Sequence, residues 1–289
     1  MCSCRVPSSP AQPPAPQAKR SCGSTQPLVL PRDVPRNSCN APDIMALPTD
    51  GGTARIGTIR WDVSAEELLA VLNKFPGSET VRPYVVDTVN IQRAGLYGQR
   101  GSAPNFSGGL GTLATCKHQM RSRYSANSWS SGVWVLGLTG LSRWRHGQQP
   151  FYYLMRVAQA HESQADLVRA LEAQGRQDVL AAKDSRAHQL GDIFMPKRPL
   201  AGAERFKPEN YIPPRADHVH SQPDDPLGWH NDIFYDGTSH TRPPLLVGNP
   251  EYTFVWTRPV VGRRSPLPIR DYQNWTLARL RSVIFGVEE

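Results

Sequence analysis

The sequence predicts an α+β fold, with a curved or barrel-like mixed sheet and flanking helices. Three observations carry this expectation. Short runs rich in β-branched and aromatic residues outnumber the helical segments. The runs do not alternate with helices as successive βαβ units would. Helical periodicity is confined to three segments, near residues 64–75, 163–180 and 271–285.

The first helix is marked by a capping box, Ser64-Ala65-Glu66-Glu67. Leu68, Leu69, Val71, Leu72 and Phe75 follow at helical spacing, and Pro76-Gly77 ends the run. Residues 81–91 (VRPYVVDTVNI) read as one strand. Residues 92–111 are Gly-rich and predict a long loop, with a short strand or helical turn over 113–116. The run 132–138 (GVWVLGL) reads as a buried strand and 151–158 (FYYLMRVA) as the next, joined by an exposed basic loop over 139–150. Ser163 to Asp166 opens a second helix with Leu167, Val168, Leu171 and then Val179-Leu180 on its apolar face, and Gly175 suits a C-cap. Residues 191–244 are rich in Pro, Asp and His and lack periodicity. Short strands are expected near 233–235, 245–247 and 252–256. The last helix turns Trp275, Leu277, Leu280 and Ile284 inward and Arg279 and Arg281 outward.

Composition bounds the rest. The chain has 289 residues, a formal charge of +8, 39% hydrophobic residues and 27 prolines. Residues 1–50 hold ten of those prolines and no hydrophobic period, so they read as a disordered Pro/Ser-rich tail before a single domain over 51–289. Met45 is an alternative start that would leave most of this tail untranslated. No apolar run reaches the roughly 18–20 residues of a membrane span, which argues against a membrane partner. Cys2, Cys4, Cys22 and Cys39 lie in the tail at no zinc spacing, leaving Cys116 alone in the folded part. One thiol and no export signal fit a cytoplasmic protein. No cofactor is expected. Cations and aromatic residues interleave in two stretches, Lys117 to Arg145 and Tyr252 to Arg270, a mixture suited to phosphate contact and base stacking.

The sharpest local signal lies at 103–121. Gly101, Gly108, Gly109 and Gly111 let a backbone approach a ligand closely. Asn105, Thr112 and Thr115 offer hydrogen bonds of the kind that read a base edge, and Lys117 and Arg121 can hold a phosphate. The same features also suit a tight structural loop with solvated cations. The spacing is neither a P-loop nor a dinucleotide fingerprint.

The stretch Ala103-Pro104-Asn105-Phe106-Ser107-Gly108-Gly109-Leu110-Gly111-Thr112-Leu113-Ala114-Thr115-Cys116-Lys117, with Arg121 just beyond, resembles the opening signature of the nucleotide modification associated domain 2 family. The run 132–137 resembles that family's GDWVVGTG element. Tyr153-Leu154-Met155-Arg156-Val157 resembles its LVYAMRV strand, and His220-Ser221 a short His-Ser element. The resemblance spans about residues 82–260. It departs at Gly111, where the family has Cys, at His118, where it has Pro, and at Val133, where it has Asp. Residues 92–102 look like an insertion. The resemblance implies association with systems that modify nucleobases, without supplying an activity. The strand-turn-strand pieces are also similar to hairpins of PUA- and EVE-type barrels, which accommodate modified bases.

Four further features were weighed. Trp144, in the basic loop, is a stacking candidate, whereas Trp134, inside an apolar strand, reads as core. Cys116 reads as a buried small hydrophobe in preference to a nucleophile. His218, His220, His230 and Asp232 form a second candidate set for acid-base or metal-assisted chemistry, although they match no zinc pattern.

The expected function is therefore recognition of a nucleotide, or of a modified base in nucleic acid. The ligand would be held by Asn105, Gly108, Gly109, Thr112, Thr115, Lys117, Arg121 and Trp144. One alternative is an enzyme of nucleotide or base modification that uses the 217–236 His/Asp segment. Another is a protein-interaction module.

Overall fold

The structure is a computed structural model. It describes residues 59–92, 95–140, 149–219, 225–235, 242–262 and 274–286. The tail, Trp144 and His220 lie outside these residues.

The fold is α+β, and most expected elements form. A two-residue strand β1 (Arg60–Trp61) leads into helix α1 (Ala65–Leu72). The capping box is complete. Ser64 Oγ accepts from the Glu67 amide at 3.2 Å, and the Ser64 amide donates to Glu67 Oε2 at 3.0 Å. The strand expected over 81–91 forms as two, β2 (Thr80–Val86) and β3 (Val89–Ile91), broken at Asp87-Thr88. The second piece turns back on β4 (Tyr97–Gln99) as a separate hairpin, inside what the sequence suggests is loop.

A 3-10 turn at Ser107–Gly109 precedes β5 (Thr112–Leu113). The short helices α2 (His118–Arg121) and α3 (Ala126–Trp129) follow. Next come β6 (Trp134–Thr139) and β7 (Phe151–His161), which pair antiparallel. Helix α4 (Gln164–Ala173) is capped by Ser163. Gly175, at φ 69°, breaks the chain before α5 (Gln177–Lys183), so the second expected helix is two.

Further expectations are corrected. The strand near 233–235 is a helical turn, α6 (His230–Ile233). Trp229 and Ile233 both belong to one small core with Phe194, Leu200 and Tyr211, and a helical i, i+4 spacing delivers both to the same side. The two strands over 245–247 and 252–256 are one, β8 (Leu245–Val260). The residues between them do not reverse the chain. They are absorbed as register shifts where Met155 and Val157 face Thr253 and Gly248. The chain ends in β9 (Trp275–Thr276) and α7 (Leu277–Phe285). Trp275, Leu277, Leu280 and Ile284 are buried as expected. Arg281, expected outward, instead donates to the Leu72 and Phe75 carbonyls at the end of α1.

The main sheet runs β1–β8–β7–β6–β2–β9, with β5 also beside β8. Its pairings are mixed: β1 with β8 and β2 with β6 are parallel, and the others are antiparallel. Pro83 tests this register. β9 covers only Thr80 and Val81, so Pro83 has a strand neighbour on one side only, where a missing N–H costs least. Successive residues of β8 serve opposite faces. Leu246 joins the large core, while Leu245 and Val247 join a second core with Leu167, Val168, Leu171, Val179 and Leu180 of α4 and α5. Trp134 is fully buried, as expected, and donates to Glu79 Oε2 at 2.6 Å. Among the described residues no helix is long and apolar enough to cross a membrane.

Candidate functional site

The 105–121 segment divides into an interior half and a surface half. In the interior half, the Lys183 ammonium lies at the end of α5 and donates to Asn105 O, Asn105 Oδ1 and Thr112 Oγ1, each at 2.8 Å. Asn105 Nδ2 donates to the Leu190 carbonyl at 2.8 Å, and Thr112 Oγ1 lies 2.6 Å from Asp192 Oδ2. Thr115 Oγ1 lies 2.9 Å from Ser102 Oγ. Asn105, Thr112 and Thr115 are all buried. These side chains, expected to face a ligand, are committed to the interior. Gly108 and Gly109 take the left-handed φ values of 66° and 69° that the turn requires. A Cβ on Gly108 would meet the Val179 backbone at 3.0 Å, so its role here is a close approach to α5.

The surface half begins at Cys116 and Lys117, with φ 54° and 46°. Two consecutive non-Gly residues in the left-handed region are uncommon and cost strain that the surroundings must offset. The offset is visible. Asp232 Oδ1 accepts the Cys116 amide at 2.8 Å and sits 2.8 Å from His118 Nε2. Arg121 braces the loop from beneath. Its Nε donates to the Cys116 carbonyl at 2.9 Å, and its Nη1 donates to the Pro243 and Pro244 carbonyls at 3.2 and 2.8 Å. Arg121 is 1% exposed, so it does not offer a phosphate an open guanidinium. Burial lowers its pKa to about 10, against the opposing field of Asp232.

Cys116 shares this environment. Burial, and then the Asp232 charge, push its thiol up to about 12, with Arg121 opposing. A thiol so placed is protonated at neutral pH, and its side chain packs against the large core while only partly buried, less enclosed than the sequence reading expects. Lys117 is more open. Its ammonium pairs with Asp87 at 3.0 Å, on a partly exposed pair, and lies 5.5 Å from the Tyr84 ring centroid.

The second candidate set is split. Asp232 reaches the 116–121 loop, as described. His218 lies edge-on to Phe194, and His230 packs edge-on against Trp229. Among the described residues no three His, Cys, Asp or Glu side chains are grouped to hold a metal.

Three features escaped sequence reasoning. His118 stacks on Tyr235, with centroids 4.6 Å apart and planes 14° apart. The buried Lys183–Asp192 pair could have been suspected from Lys183 following Val179 and Leu180 at i+4 and i+3 on an apolar helix face. The third is a small surface depression, with a cavity volume of about 10 Å³, lined by Glu162, Phe206, Asn231, Asp232, Phe234 and Arg242 among others. It adjoins the Asp232 end of the loop, and nothing local in the sequence points to it.

The chain matches no protein-family model, no curated protein and no solved structure.

Proposed function

We propose that the chain recognises a nucleotide, or a modified base in nucleic acid. Its site would lie where the 116–121 loop meets residues 230–235 and Arg242. The observation that carries this reading is the convergence on Asp232. One carboxylate oxygen ties Asp232, from the second candidate set, to the Cys116 amide and to His118, so the surface half of the Gly-rich segment and Asp232 meet at one place. Phe234 and Arg242 line the depression beside Asp232, the mixture of ring and cation that suits base and phosphate. The interior residues Asn105, Thr112 and Arg121 position this face. The resemblance to the nucleotide modification associated domain 2 family supports the same ligand class. The register shifts along β7 and β8 support a curved, PUA- or EVE-like sheet, since bulges bend strands.

The test is binding of short labelled DNA, unmodified and base-modified, across a salt series beside free nucleotides. Preference for one modified base that survives added salt is the expected result. Uniform binding that falls steeply with salt would reduce the reading to a basic surface. No binding by any of these ligands would overturn it.

A second reading is an enzyme acting on a nucleotide at the same face. His118 favours it, because a carboxylate 2.8 Å from one ring nitrogen orients an imidazole for proton transfer. Turnover of a nucleotide that is lost in His118→Gln while binding persists would establish this reading over recognition alone.

A further inference from the structure

The rim of the depression holds three aromatic rings, and two are covered. Arg242 Cζ lies 3.5 Å from the Phe206 centroid, and Tyr235 is stacked on His118. Phe234 is the third. It is 42% exposed, one of two large apolar side chains left exposed among the described residues. The other, Leu227, lies on the same 225–235 segment.

Among the described residues no hydrogen bond or ion pair holds Arg242, and its guanidinium is also 5.7 Å from the Phe234 centroid. The stack on Phe206 orients the guanidinium plane, so less side-chain freedom is lost when an anion docks. The other cation beside Phe206 is not available in this way. Arg205 is paired with Asp166 and, at 3.6 Å, with Glu162.

We infer that this face takes single-stranded nucleic acid, with a base stacked on Phe234 and a neighbouring phosphate on Arg242. The inference rests on the recognition reading above and narrows its ligand. Two details favour a single strand over a duplex. An exposed ring gains from an unpaired base, whose π-face is open, and gains nothing from a duplex whose bases are stacked on each other. The depression also carries two carboxylates, Glu162 and Asp232, which weaken it as a purely electrostatic clamp for a duplex. Asn231, on the same rim, offers an amide to a base edge.

The experiment is fluorescence anisotropy of the full chain with a labelled single strand, its duplex and free mononucleotides over a salt series. It is repeated for Phe234→Ala, Phe234→Trp and Arg242→Ala. The single strand should bind at least about tenfold tighter than the duplex. Phe234→Ala should weaken it by about 5- to 150-fold at unchanged melting temperature, and Phe234→Trp should restore it. Arg242→Ala should weaken binding across sequences and lower the salt slope by about one. Equal affinity for duplex and single strand, or a silent Phe234→Ala, overturns this inference. If mononucleotides still bind in that case, the broader recognition reading survives. If no nucleic acid or nucleotide binds, both fail, and the exposed Phe234–Leu227 face belongs to a protein partner.

Discussion

The Lys183 ammonium lies 3.9 Å from the Asp192 carboxylate, and neither side chain is reached by solvent. The gap is too long for a hydrogen bond, and Thr112 Oγ1 fills it by accepting from Lys183 and donating to Asp192. Asp192 Oδ1 is the oxygen that faces the ammonium across this gap. Burial lowers the Lys183 pKa to about 8 and raises that of Asp192, each opposed by the other's charge. The pair therefore locks the 105–112 segment onto α5 at an energetic cost.

That cost has a pH signature. The unfolded chain keeps its lysine protons up to about 10.4, whereas folded Lys183 releases its proton near 8. Between these values the unfolded state binds more protons, so the Lys183 contribution to stability rises with pH and falls again as pH drops through 8. Lys183→Met should remove this rise and cost about 3–5 kcal/mol near neutral pH, because it leaves the buried Asp192 carboxylate without its countercharge. Denaturant titrations of both proteins from pH 6 to 10 check it.

Arg121 and Lys117 should separate cleanly. Arg121→Met removes three carbonyl contacts from a buried position and should cost more than about 3 kcal/mol. Lys117→Ala breaks a partly exposed pair and should cost no more than about 1 kcal/mol, while weakening nucleotide binding. Thermal melts beside binding isotherms distinguish the two.

Iodoacetamide should leave native Cys116 unlabelled at pH 8 and label it in denaturant, because burial pushes the thiol up to about 12. The raised value also adds stability that is present below the ordinary thiol pKa of about 8.5 and lost as pH climbs toward 12. Rapid native labelling, read by intact mass, would contradict the raised thiol pKa.

Gly108→Ala should destabilise more than Gly109→Ala. Both positions have left-handed φ, which costs a non-Gly residue about 1–2 kcal/mol. Only at Gly108 does a new Cβ also meet backbone, that of Val179 at 3.0 Å. Paired melting curves measure the difference.

Asp232→Ala should release the 116–121 loop. The Cys116 amide then loses its acceptor, at a cost of about 1–3 kcal/mol, and its hydrogen exchange should accelerate. Unchanged exchange at Cys116 would mean that Arg121 alone holds the loop.

Local information sufficed for part of this protein. The Ser64 capping box, the buried Trp134 strand, the Ser163 helix start and the inward face of α7 follow from neighbours a few residues away, and so they were legible in the sequence. So was the importance of the 105–121 segment, since its glycines and polar residues have to serve close approach or recognition. Which of the two they serve was decided by partners far along the chain. Lys183 draws Asn105 and Thr112 inward, and Asp232 meets Cys116 across 116 positions. The same holds for α6, where the demand of a core for Trp229 and Ile233 overrode the β-propensity of Ile-Phe-Tyr. Periodicity and capping are short-range and can be read along a chain. The choice of partner for a polar group depends on which segments the sheet brings together, and that is settled only when the core closes.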